Sequence, residues 1–152
     1  MDMPLSEVKV LTDRLLRSWV RCRRKAWLDL HGDETKRLWS AHRTLQLDHQ
    51  QKSFAALITQ QPGSGKKALQ EGYLGVVGVR LKGITTKGFA VEAHPPLLQK
   101  IKGRSRWGEF AFRPVLARQG KKITREIRLS LALTALLLEK EQGAYVNNSL
   151  VI

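Results

Sequence analysis

Leu131 to Leu138 (LALTALLL) constrains this chain more than any other stretch. Wound as a helix it is apolar nearly all round, and such a helix has to be buried on more than one side. Thr124 can cap it, its body runs from about Arg125 to Glu141, and Gly143 stops it. The other elements have to supply the cover. The chain has 152 residues and is 42% hydrophobic, which suits one domain with a core and is too short for two ordinary ones. No apolar run reaches the roughly 18 residues that a membrane span needs.

Leu74 to Ile84 places Val76, Val77, Val79 and Leu81 among glycines, the pattern of a twisted strand. Leu97 to Ile101 and Phe110 to Ala117 are two further strands, and the turn Gly103 to Gly108 (GRSRWG) makes them a hairpin. Ser149 to Ile152 opens a last strand, and its ending with little polar tail reads as a domain incomplete at its C-terminus. At the other end, Thr12 or Asp13 caps a helix. At about 100° per residue, Leu15, Leu16, Trp19, Cys22, Ala26, Trp27 and Leu30 share one arc. Arg14, Arg17, Arg21, Arg24 and Lys25 take the opposite arc. Arg23 points into the apolar arc, where it needs a carboxylate or a route to water. Gly32 ends this helix near His31. A second helix begins after Asp33, with Leu38, His42, Leu45 and His49 on one face and Phe54, Ala55 and Leu57 continuing it. Gln60 to Lys67 (QQPGSGKK) reads as a loop. The expected architecture is α/β: two N-terminal helices, a small mixed sheet with a central hairpin, and one buried helix, in a single domain over residues 1–152.

Lys and Arg number 27 against 13 Asp and Glu, a formal charge of +14. That excludes an acidic solvating protein. One basic run spans Arg14 to Lys25; another, from Lys100 to Arg128, includes Lys102, Arg104, Arg106, Arg113, Arg118, Lys121, Lys122 and Arg125. Clustered charge of this size points to a polyanion, because Lys and Arg displace counterions from phosphate backbones. Solubility or a protein partner is the plainer alternative. The single cysteine excludes an internal disulfide framework and any zinc site built from several cysteines of one chain. Met1 to Lys9 lacks the apolar core of a signal peptide, so the expected location is cytoplasmic.

Motifs narrow the chemistry. Gly63-Ser64-Gly65-Lys66 invites a phosphate-loop reading, but Gln60 stands where the first glycine belongs and Lys67 follows Lys66. His31, His42, His49 and His94 form no zinc-hydrolase signature. Cys22 is either a small buried hydrophobe or a thiolate favoured by Arg21, Arg23 and Arg24. Of the four tryptophans, Trp19 and Trp27 belong to the apolar arc and the core; Trp39 carries no assignment. Trp107, in a basic turn, is the better candidate for stacking on a base.

Leu11 to Asp33 (LTDRLLRSWVRCRRKAWLDLHGD), with Cys22, Arg23, Arg24, Trp27, Leu28 and Asp29 at its centre, resembles the opening of RecB-like nucleases, especially the CRISPR-associated exonuclease type and its bacterial relatives. The resemblance continues in patches through Ala41-His42, His94 to Leu98, Ser105 to Arg118 and Thr124 to Gly143. That family belongs to the PD-(D/E)XK superfamily, which implies a PD-(D/E)XK-like core, here shortened. There, an acid at the start of one strand and an acid on the next hold one or two divalent ions. A Lys two residues later helps orient the attacking water, and a His on an early helix often adds a ligand. The resemblance sets the histidine at His42, the first acid at Pro96, the second at Leu116 and the Lys at Arg118. Neither Pro nor Leu can ligate Mg²⁺ or Mn²⁺, which take oxygen donors. Cys22 corresponds to a cluster ligand whose partner cysteines are missing, so no cofactor is expected.

The resulting expectation is a RecB-like nuclease homologue, catalytically inactive, that retains nucleic-acid affinity, for DNA first. Arg21, Arg24, Lys25, Arg104, Arg106, Lys121 and Lys122 are its candidate phosphate contacts, positioning the strand without reading bases. Two alternatives stand beside it. One is an active Mg²⁺- or Mn²⁺-dependent nuclease using His42 with a shifted acid, Glu92, Glu109 or Glu126. The other is a protein-interaction module whose terminal strand leaves a sheet edge for a partner or a second copy.

Overall fold

The computed structural model describes residues 10–38 and 40–152. The reading of Met1 to Lys9 as free of a leader lies outside the described residues, as does Trp39. In chain order the elements are β1 (Leu11–Thr12), α1 (Asp13–Arg21), α2 (Arg23–His31), a 3-10 turn (Glu34–Lys36), α3 (Ala41–Leu57), β2 (Gly63–Ser64), α4 (Gly65–Glu71), β3 (Gly75–Val77), β4 (Leu81–Ile84), β5 (Ala90–Ala93), β6 (Leu97–Ile101), β7 (Ala111–Leu116), α5 (Arg125–Gln142) and β8 (Leu150–Val151). No helix among the described residues is long and apolar enough to cross a membrane.

The apolar helix is α5, and it finds its cover on three sides, against α1, against β7, and against β4 and β5. Leu137 and Leu138 join Val76, Leu81, Val91, Leu98 and Phe112 in one buried cluster. The cover is incomplete: Leu136 stays 60% exposed. Close packing is possible because β4 carries Gly83, where any Cβ would collide with Leu137 Cδ2. Gly143, at φ 66°, ends α5 in the left-handed conformation that glycine adopts without strain.

The expected hairpin is the antiparallel pair β6–β7, in register from Leu97↔Val115 to Ile101↔Ala111. It sits at the centre of a mixed five-stranded sheet ordered β2-β3-β6-β7-β8. β7 and β8 are parallel, so they need a crossover, and α5 supplies it. The pleat turns Leu98 and Phe112 toward α5, and Leu97 and Val115 toward Phe54 and Ile58 at the end of α3. Both faces of the sheet are thereby covered. A second sheet, β1-β5-β4, stands apart.

Several expectations change. The first helix is two: Cys22, at φ −162° and ψ 117°, leaves the helical region, closes α1 by donating its N–H to Ser18 O, and opens α2 by accepting from Ala26 N. The break resets the helical phase, so the continuous apolar arc does not form. Trp19 and Trp27 are 54% and 59% exposed, and Cys22 is exposed as well. Arg23, sent toward the apolar side by the same periodicity, lies 5.2 Å over the Trp19 ring and has a cation–π partner in place of a carboxylate. The second helix begins at Ala41, capped by Ser40, so the N-terminal region holds three helices. Leu38 precedes α3 and is 95% exposed. Gln60 to Lys67 is not all loop, since β2 and α4 begin inside it. Leu74 to Ile84 is two strands in different sheets, because Gly78 turns the chain at φ 68°.

Candidate nucleic-acid interface

Thr12 Oγ1 accepts from Leu15 N at 3.1 Å, which starts α1 at Asp13 and sets Arg14, Arg17, Ser18 and Arg21 on one helical face. That face forms one wall of a cavity of about 800 Å³. Lys25 of α2, Arg37, Arg43 of α3 and Arg118 beyond β7 complete a lining of seven cations, against the acids Asp29 and Glu126. The cavity is therefore strongly cationic, and its low-dielectric walls concentrate that field on an incoming anion.

Asp29 ties the wall together. It accepts from Ser18 Oγ at 2.5 Å, from Lys25 Nζ at 2.9 Å and from Arg37 Nη2 at 3.0 Å. Burial alone pushes its carboxyl up, but the hydrogen bonds from Ser18 and Lys25, with the charges of Lys25 and Arg14, hold it below the ordinary value of 3.8. A depressed acid stabilises the fold above its unfolded pKa and ceases to do so as pH falls through the folded one. The melting temperature of Asp29→Asn is therefore expected to lie below that of the native chain near neutral pH, with the gap narrowing as pH falls below the ordinary carboxylate value of 3.8. A gap that stays constant with pH contradicts this role.

Hydrogen bonding in the cavity is incomplete. Glu126 Oε2 lies 3.3 Å from Arg21 Nε, an ion pair out of line for a hydrogen bond. Arg17 Nε and Arg118 Nη1 are buried without an acceptor. Among the described residues, these are the three buried side-chain polar atoms that lack a hydrogen-bond partner, and all three belong to residues lining this cavity. An unpaired buried donor costs about 1–3 kcal/mol, more when charged.

The structure brings some of the expected site residues together. His42, Leu116 and Arg118 line the one cavity. His42 Nε2 lies 3.0 Å from Gln46 Nε2. Pro96 is half-buried and does not line the cavity. It directly precedes β6, and the register continued by one residue sets it opposite Leu116. Arg21 and Lys25 line the cavity; Arg24 is exposed and does not, because the break at Cys22 rotates α2 relative to α1. Lys121 and Lys122 are exposed on the connection that follows Arg118.

Arg104 and Arg106 lie at the other end of the hairpin, across the six-residue β7, a span of about 17 Å. Arg104, 84% exposed, lies 3.4 Å from Glu109. Arg106 holds the end of α5, donating from its backbone N to Gln142 O at 2.8 Å and from Nη2 to Lys140 O at 3.1 Å. Trp107, expected to be free for stacking, is half-buried and packs edge-on against Phe112 at 6.3 Å. Of the three shifted acids, Glu126 alone shares the cavity with His42. Glu92 is bound by His94 at 3.0 Å and Lys82 at 3.8 Å. Lys66 of the glycine-rich stretch is engaged by Glu141 at 3.1 Å. Among the described residues, no three of His, Cys, Asp and Glu come together in a way that could hold a metal ion.

Arg14 and Arg17 share the basic arc with Arg21, and the spacing of 14, 17 and 21 is the sequence signal that places them on the wall. Arg37 and Arg43 carry no such signal, since a 3-10 turn and a helix start bring them in. No family model matches the chain, and neither does any curated protein or solved structure.

Proposed function

We propose that this chain is a RecB-like nuclease homologue, of the PD-(D/E)XK kind, that has lost its catalytic carboxylates and keeps nucleic-acid binding, to DNA first. The observation that carries this reading is the cationic cavity at the end of β7, where Leu116, Arg118 and His42 meet the basic wall of α1. The placement of Pro96 before β6 and of Leu116 at the end of the adjacent β7 supports it, since the resemblance requires two acid positions on neighbouring strands.

A divalent ion does not fit these residues. The side chains of Pro96 and Leu116 offer no oxygen, and Arg118 is a permanent cation. The cavity that holds His42 has two carboxylates: Arg21 already neutralises Glu126 at 3.3 Å, and Ser18, Lys25 and Arg37 already occupy Asp29. No hydrolytic step is assigned. What the cavity offers is charge: arginines and lysines neutralise backbone phosphates and release their counterions, independently of base sequence. Fluorescence anisotropy with labelled single-stranded and duplex DNA, in EDTA at low salt, tests this. Saturable binding that unlabelled DNA competes away is expected; absence of binding at low salt overturns the reading.

A further inference from the structure

We infer that Arg17 and Arg118 together seat one phosphate group of the bound strand inside the cavity, as its principal anchor. This rests on the nucleic-acid reading above and adds a specific subsite to it. Both guanidinium groups carry a buried N–H without an acceptor, and both line the same cavity. Of the other cavity cations, Lys25 and Arg37 are engaged by Asp29 and Arg21 by Glu126, while Arg14 and Arg43 are exposed. Arg17 and Arg118 are thus the half-buried cavity arginines without a carboxylate partner among the described residues, each with one N–H packed away and the rest of its guanidinium group left for a ligand.

The two are also held for the task. Arg17 sits in the middle of α1, which is capped at Thr12 and tied to α2 through Ser18 and Asp29. Arg118 is fixed by its own backbone, donating its N–H to Ile152 O at 2.7 Å, while Ile152 N donates to Leu116 O at 2.9 Å. Two guanidinium forks on rigid supports match the several oxygens of a phosphate, which accepts paired N–H donors. The basic turn at the far end of the hairpin offers no equivalent, because Arg104 faces Glu109 and Arg106 holds α5.

The test uses the full chain and its variants Arg17→Gln, Arg118→Gln and Arg104→Gln. Ligands are a DNA oligonucleotide with a 5′-phosphate, the same oligonucleotide with a 5′-hydroxyl, and inorganic phosphate. Arg17→Gln and Arg118→Gln are each expected to weaken DNA binding about tenfold and to lower the salt slope by about one. Arg104→Gln is expected to stay within about twofold. Tighter binding of the 5′-phosphate form alone, lost in both cavity variants, assigns the seat to a strand end; equal binding of both forms assigns it to an internal phosphodiester. Inorganic phosphate is expected to raise the melting temperature of the native chain and not that of the two variants. Because each variant removes an orphaned donor, neither is expected to melt lower than the native chain, which separates this role from a structural one. Wild-type affinity and salt slope in both cavity variants overturn the inference while leaving nucleic-acid binding in place. Failure of the native chain to bind DNA at all overturns both.

Discussion

Raising the salt from about 50 to about 200 mM is expected to weaken DNA binding about 10³-fold. Arg14, Arg17, Arg43 and Arg118 line the cavity without a carboxylate ion pair among the described residues, and Lys121 and Lys122 lie exposed beside it. Arg21, Lys25 and Arg37 count for less, since Glu126 and Asp29 neutralise them in the free protein. Some six unpaired cations, each displacing one counterion, give a slope of log affinity on log salt near −5. A slope shallower than about −2 would mean that hydrophobic or base contacts dominate, and the electrostatic account would fail. Measuring the slope on two unrelated sequences of equal length adds a second check. Contacts to the backbone leave it unchanged, whereas base contacts do not.

The second large effect concerns stability. Gln142→Ala is expected to cost about 3 kcal/mol, read as a lowered midpoint in urea. Gln142 is fully buried, at the last turn of α5. Its Oε1 accepts from Phe112 N at 2.9 Å, and its Nε2 donates to Phe112 O at 3.2 Å and to Ala144 O at 3.3 Å. β8 pairs with β7 only at Val115 and Leu116, so on that side of β7 the ladder stops before Phe112. The Gln142 amide takes the place of the missing strand. Removing it leaves two central backbone groups unpaired and opens a void beside Phe112. A loss under about 1 kcal/mol would show that water or a shift of β8 replaces the amide. The effect propagates toward function, because α5 carries Glu126 to the cavity at its other end.

What the sequence discloses depends on how local the signal is. The α5 boundaries follow from one apolar run and one glycine, and the β6–β7 pair from a turn between two short apolar segments. Both are local, and both stand in the structure. The N-terminal helices were less legible. Periodicity read through residue 22 assumes one unbroken helix, and the extended backbone of Cys22 removes that assumption. Trp19 and Trp27 end up exposed in consequence. Sheet partition was illegible from Leu74 to Ile84, because Gly78 sends two similar valine-rich pieces into different sheets. α4 carried a usable signal, the run KKALQE closed by Gly72 at φ 73°, which the preceding Pro-Gly-Ser-Gly obscured. The cavity was half legible. The arc of Arg14, Arg17 and Arg21 could be seen in one helix, but its meeting with Arg118 spans a hundred residues and depends on how α1 packs against α5. Arg104 and Arg106 belong to the same basic run as Arg118 in the sequence, yet a β-strand carries the chain away between them. Charge density along a chain does not by itself predict charge density in space.

Binding and cleavage measured on the same samples, in Mn²⁺ and in EDTA, test the central claim most directly. End-labelled DNA is incubated with the protein, its bound fraction is read by anisotropy, and its integrity is then read on a denaturing gel. The expected result is equal binding in both conditions and intact DNA throughout, since Pro96 and Leu116 leave no oxygen to hold the ion. Mn²⁺-dependent cleavage that EDTA stops and that His42→Ala or Glu126→Gln abolishes would contradict it, and would return this cavity to the active nucleases.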